Sequence, residues 1–127
     1  MSDKPTPPLD WPHFQSLAGG DDAARDLAGF YIPYVVERLD ALRSAVDAGA
    51  ARDVEVIAHQ LAHSTAAAGV IDIVVPLLAI EGLAHEGHLG RVAEALADAE
   101  AGFLRVREFL LQYVEAVRPD PQRSETA

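Results

Sequence analysis

The feature that most constrains this chain is its apolar spacing. Hydrophobic side chains recur at three- and four-residue steps through successive blocks, and glycine and proline separate the blocks. Such spacing lays one stripe along a helix, and no segment alternates with the period of two that a strand needs. Asp10 caps a short helix with Pro12 in its first turn and Trp11, Phe14 and Leu17 on one face, ended by Gly19-Gly20. The second block opens at Asp21-Asp22, turns Ala28, Ile32, Val35, Leu39, Leu42 and Val46 inward, and stops at Gly49, with a kink expected at Pro33. A third, from about 52 to 68, buries Val54, Ile57, Ala58, Leu61, Thr65 and Ala68 before Gly69. The fourth starts at Asp72, an expected N-cap, and runs to Gly87. The last, from about 89 to 117, buries Val92, Leu96, Ala99, Phe103, Val106, Leu110 and Val117.

Short connections force neighbouring helices to run antiparallel. The expected fold is therefore all-α, an antiparallel four-helix bundle with a short N-terminal helix packed on it. One domain is expected over residues 10–118, between a disordered, proline-marked N-terminal tail (1–9) and a disordered C-terminal tail (119–127). With 20 acidic against 10 basic side chains the formal net charge is -10, which repels nucleic-acid phosphates and anionic lipid. Neither nucleic acid nor a membrane is an expected partner. The longest apolar run, 66–80, contains Asp72 and Pro76 and is too short to span a bilayer. No apolar h-region follows the N-terminus and there is no cysteine, a pattern that points to the cytoplasm.

Chemistry then falls to the five histidines and the carboxylates, because glycine-rich phosphate loops, zinc-protease helices and serine elbows are missing. On the third helix Ile57 and Leu61 point inward, and a residue two positions from each is rotated by about 200°. His59 consequently faces water. The run Ala58-His59-Gln60-Leu61-Ala62-His63-Ser64-Thr65-Ala66-Ala67-Ala68-Gly69 resembles the signature of histidine-containing phosphotransfer (HPt) domains of bacterial two-component phosphorelays. In that family the phosphoacceptor histidine is followed by leucine at the second position, lysine at the third, glycine at the fourth, small residues at the fifth to seventh and glycine at the tenth. Leu61, Ser64, Thr65, Ala66 and Gly69 match, whereas Ala62 stands for the lysine and His63 for the glycine. Phe14 to Asp22 is similar to the family's short first helix and its Gly-Gly-Asp junction, and Phe30 to Val46 to its long second helix. Glu81, followed by Gly87 and Leu89, is similar to the acidic position and turn ending its fourth helix.

The resemblance spans about Trp11 to Tyr113 and implies a phosphorelay intermediate with no independent catalytic site. His59 would accept a phosphoryl group from a receiver-domain aspartyl phosphate and pass it to another receiver. The docking face around it would comprise Glu55, Val56, Ala62, His63 and Ala66. The implied partners are response-regulator receiver domains and a hybrid histidine kinase. No cofactor or metal is expected on this chain, since the Mg²⁺ of the reaction belongs to the receiver. Two alternatives stay open. One is an HPt-like binding module that engages a kinase or receiver without phosphotransfer. The other is a metal-binding bundle using His59 and His63, whose i, i+4 spacing lets one helix offer two imidazoles. Antiparallel pairing around Gly69 sets residues 79–82 opposite His59, which leaves His85 and His88 about a turn out of register. These two read as imidazoles beside a helix C-terminus, and His13 carries no signal.

Overall fold

The computed structural model describes residues 7–117, with side chains as far as residue 112. The described residues form five α-helices: α1 (Trp11–Ala18), α2 (Asp21–Asp47), α3 (Ala51–Ala67), α4 (Val74–His85) and α5 (Val92–Val117). Short 3-10 turns at Ile71–Ile73 and Leu89–Arg91 lead into α4 and α5, and no strand occurs among the described residues. Each of α2 to α5 packs on the next, α5 closes the ring against α2, and α1 lies on α2. This is the expected antiparallel four-helix bundle with its short N-terminal helix.

The inward stripes meet in one core. Val35, Leu39 and Leu42 of α2 share it with Val54, Ala58 and Leu61 of α3, Leu77 and Ile80 of α4, and Val92, Leu96, Phe103 and Leu110 of α5. Ile32, Val46 and Ile57, expected inside, are half-buried at the edges of their stripes. Leu17 of α1 is exposed as well, because this two-turn helix turns Ala18 and the aromatic pair Trp11 and Phe14 toward the core. Their rings stack at 5.6 Å, and Phe14 meets Tyr31 of α2 edge-on at 6.1 Å. Asp10 caps α1 as expected, accepting the His13 backbone N–H at 3.1 Å. At Pro33 α2 continues as one helix, with the proline ring exposed. The side chain of Val117 and the tail residues 1–6 and 118–127 lie outside the described residues.

Two local expectations require correction. Asp72 does not cap α4: it lies in the 3-10 turn, and its carboxylate accepts the Arg105 Nε–H of α5 at 2.8 Å. Within the segment assigned to an N-terminal tail, Pro8 and Leu9 are held on the bundle, and Leu9 is 1% exposed in the core. The cause is the end of α3. The turn after it leaves backbone groups without helical partners. Pro8 accepts the Ile71 and Asp72 N–H groups at 3.1 and 3.3 Å, while the Asp10 N–H donates to the Gly69 carbonyl at 2.9 Å. Proline punctuation thus marks a strap across the bundle, held by polar pairing at Pro8 and Asp10 and by the apolar side chain of Leu9 between them.

Close approach of α5 to the 3-10 turn depends on Gly102, where a Cβ would lie 2.7 Å from the Asp72 carbonyl oxygen. Gly29, in the middle of α2, faces open space. Alanine should therefore act with opposite sign at the two positions. In urea unfolding, Gly29→Ala is expected to raise stability by about 0.5–1 kcal/mol through chain entropy. Gly102→Ala is expected to lower it by about 1–3 kcal/mol through overpacking against backbone. Two stabilising substitutions would contradict the packing of α5 on this turn.

Candidate functional site

The site is built by the antiparallel pairing of α3 and α4, the most extensively packed helices of the bundle. At the end of α3, Gly69 adopts a left-handed φ of 78°, and the Val70 N–H returns to the Thr65 carbonyl at 2.8 Å. A side chain at Gly69 would also press on His13 and Asp10, so the position requires glycine on two grounds. The buried Thr65 hydroxyl donates back to the carbonyls of Leu61 and Ala62, at 2.8 and 3.1 Å, and the Ser64 hydroxyl to that of Leu61 at 3.2 Å. Both hydroxyls are thereby engaged with α3 itself.

This turn sets the register of everything on the outer surface of the pair. His59 of α3 lies opposite Glu81 of α4, as pairing around Gly69 requires, with Nδ1 2.7 Å from the carboxylate. An ionised carboxylate offers acceptors alone, so Nδ1 carries the proton and donates it. The lone pair is left on Nε2. The His59 side chain is 51% exposed, whereas Glu81 is half-buried beside it. The pairing of the two helices thus fixes the tautomer and aim of a half-exposed imidazole whose second nitrogen has no hydrogen-bond partner among the described residues.

The remaining expected face is assembled in part. His63 sits one turn along α3, its ring centroid 4.3 Å from that of His59 and tilted by 46°. Val56 and Ala66 are exposed, and Glu55 is half-buried. Ala62 is different: at 2% exposure it belongs to the core and presents no docking surface. The reason is the width of the α3–α4 contact, which covers both Leu61 and Ala62 where the helical period alone placed the second of them outside. Among the described residues no three His, Cys, Asp or Glu side chains converge in a manner that could hold a metal ion.

Two histidines have partners that the sequence reading did not assign. The His13 ring nitrogen Nε2 donates to the Ala67 carbonyl at 2.8 Å, tying α1 to the last turn of α3. His85, in the last turn of α4, meets Glu55 of α3 with Nδ1 2.9 Å from the carboxylate. The signal for this second pair is a recurrence: Glu55-Val56-Ile57-Ala58-His59 and Glu81-Gly82-Leu83-Ala84-His85 share Glu, an aliphatic residue, Ala and His at the same spacing. On antiparallel neighbours in this register, each histidine meets the other helix's glutamate.

The crystal structure of histidine-containing phosphotransfer protein B from Pseudomonas aeruginosa PAO1 superposes on this bundle with a TM-score of 0.81 and 25% sequence identity. The match covers 90% of this chain and 100% of that one. The fold is that of an HPt helical bundle. No family model matches the sequence, and no curated protein matches it. The HPt likeness is carried by helix order and packing over the whole domain, together with the short run around His59.

Because the His59–Glu81 pair of this HPt bundle lies at the surface, it contributes little to folding. His59→Gln is expected to change unfolding stability by less than about 1 kcal/mol. Leu61→Ala, two residues away and fully buried, is expected to cost about 2–5 kcal/mol. Thermal or urea denaturation of the two variants tests the register that separates them, and reversed magnitudes would contradict it.

Proposed function

We propose that the protein is a phosphorelay intermediate that accepts a phosphoryl group on His59 from the aspartyl phosphate of a receiver domain and passes it to another receiver. The observation that carries this reading is the hydrogen bond from His59 Nδ1 to Glu81, which leaves the Nε2 lone pair unengaged on a half-exposed side chain. The likeness to a protein named for histidine phosphotransfer supports it. Phosphoryl transfer is catalysed mainly by positioning and by stabilising charge, so a single oriented imidazole suffices on this side of the reaction. In the forward step, Nε2 attacks phosphorus while the bond from phosphorus to the aspartyl oxygen breaks. The freed carboxylate remains with the receiver and its Mg²⁺. The ring retains its Nδ1 proton and gains positive charge, which the Glu81 carboxylate offsets at hydrogen-bonding distance. The reverse sequence delivers the group to a second receiver.

The docking face in this reading is Glu55, Val56, His63 and Ala66 around His59, without Ala62. No described helix is long and apolar enough to cross a membrane, in keeping with a role beside soluble receiver domains in the cytoplasm. His63 acts against transfer, because its ring shields one side of His59. When the protein is mixed with phosphorylated receivers, acid-labile phosphate is expected on residue 59 by peptide mapping. Glu81→Ala should slow its appearance at least about tenfold, corresponding to a lost charge-assisted hydrogen bond. His63→Gly should accelerate it, at a cost of about 1 kcal/mol in helix propensity. Receiver binding without label on residue 59 would replace this reading by that of a binding module. Stoichiometric zinc binding lost in His63→Gly would favour the metal site.

A further inference from the structure

We propose that His85 is a second phosphoryl acceptor, placed on the same α3–α4 ridge as His59 and related to it by the local two-fold symmetry of the helix pair. The inference extends the phosphotransfer reading of His59 and rests on it. The pairings of residue 55 with 85 and of 59 with 81 are those of a two-fold axis passing between antiparallel helices, which exchanges Glu55 with Glu81 and His59 with His85. What the axis reproduces is chemical as well as geometric. In both pairs Nδ1 faces a half-buried glutamate, at 2.7 and 2.9 Å, so in both the lone pair lies on Nε2. Of the other histidines, His13 uses Nε2 on a backbone carbonyl, and neither His63 nor His88 has a carboxylate partner among the described residues.

The surroundings of His85 are more open. Its side chain is 73% exposed against 51% for His59. Two features account for this. The axis relates Val56 to Gly82, which carries no side chain to flank the ring and has open space where a Cβ would stand. It also relates His63 to a position beyond the end of α4, because the helix stops at His85 and the chain turns at Gly87 with a φ of 79°. The obstruction that His63 imposes on His59 therefore has no helical counterpart. Charge works in the other direction. Glu86 is adjacent, and the C-terminal end of α4 carries partial negative charge that disfavours an incoming anion. His85 is accordingly the more accessible acceptor and the less favourable electrostatically.

Phosphoramidate tests this without any docking partner. Nε2 forms the new bond to phosphorus, the donor's phosphorus–nitrogen bond breaks, and ammonia departs with the protons it already holds. The ring keeps its Nδ1 proton and acquires the positive charge. The full chain is incubated with phosphoramidate and acid-labile phosphate is mapped residue by residue over time, with helix content followed by circular dichroism. Residues 59 and 85 are expected to be labelled at least about tenfold faster than 63 and 88, the effect of one charge-assisted hydrogen bond at Nδ1. His59→Gln should retain the label on residue 85, and His85→Gln should lose it. Glu55→Ala should move the ratio of label at 85 to label at 59 downward at least about tenfold, and Glu81→Ala should move it upward. Labelling of 85 no faster than 88, or a ratio insensitive to Glu55→Ala, overturns the proposal. Label on 59 with none on 85 overturns this inference alone. Absence of label on 59 from phosphorylated receivers overturns the His59 reading, a separate measurement.

Discussion

The antiparallel register of α3 and α4 is the constraint from which the rest of the surface follows. It is set at one place, the left-handed turn at Gly69, where the Val70 N–H returns to the Thr65 carbonyl. A one-residue slip would rotate α4 by about 100° and carry Glu81 away from His59. The turn is held from outside as well. Pro8 and Asp10 pair with its backbone groups, His13 reaches the Ala67 carbonyl, and Leu9 fills the core beneath. Polar groups that the end of α3 leaves without helical partners are thereby satisfied by the strap and α1, the condition for placing irregular backbone against a core.

From that register a modest amount of chemistry emerges by default. Two glutamates and two histidines, each pair four residues apart on its own helix, face the opposite kind across the α3–α4 line. The exposed pairs add little to stability. Their consequence is orientation: a carboxylate on Nδ1 selects one tautomer and restrains the ring, and in the proposed transfer it offsets the charge that arises on bonding of Nε2 to phosphorus. The same ridge carries opposing features. His63 covers part of His59, and the buried Ala62 puts no cation beside it, so what the site has is positioning and one counter-charge.

Much of this was legible along the chain. The stripe of Val54, Ala58, Leu61 and Thr65 exposes His59 by helical geometry, and the short connection at Gly69 places Glu81 opposite it. Failures at the stripe edges share one origin, since periodicity locates the centre of a buried stripe and leaves its width to the neighbouring helices. Ala62 is covered because α4 packs broadly on α3, whereas Leu17 is uncovered because little lies beside α1. Asp72 was read as a local cap, yet its carboxylate goes to Arg105, 33 residues away. Prolines before residue 9 signalled a tail, and composition could not reveal that Leu9 has a cavity to fill.

By itself, then, the sequence determined the helices, their order, the antiparallel sense of neighbours and the exposure of His59, because each follows from period, turn residues and connection length. It also contained the recurring Glu and His spacing on what became α3 and α4. The tertiary structure alone decided that His85 meets Glu55, which ring nitrogen stays free and which residues at the stripe edges are covered. Those outcomes depend on the distance and rotation between two packed helices, and no single helix carries that information.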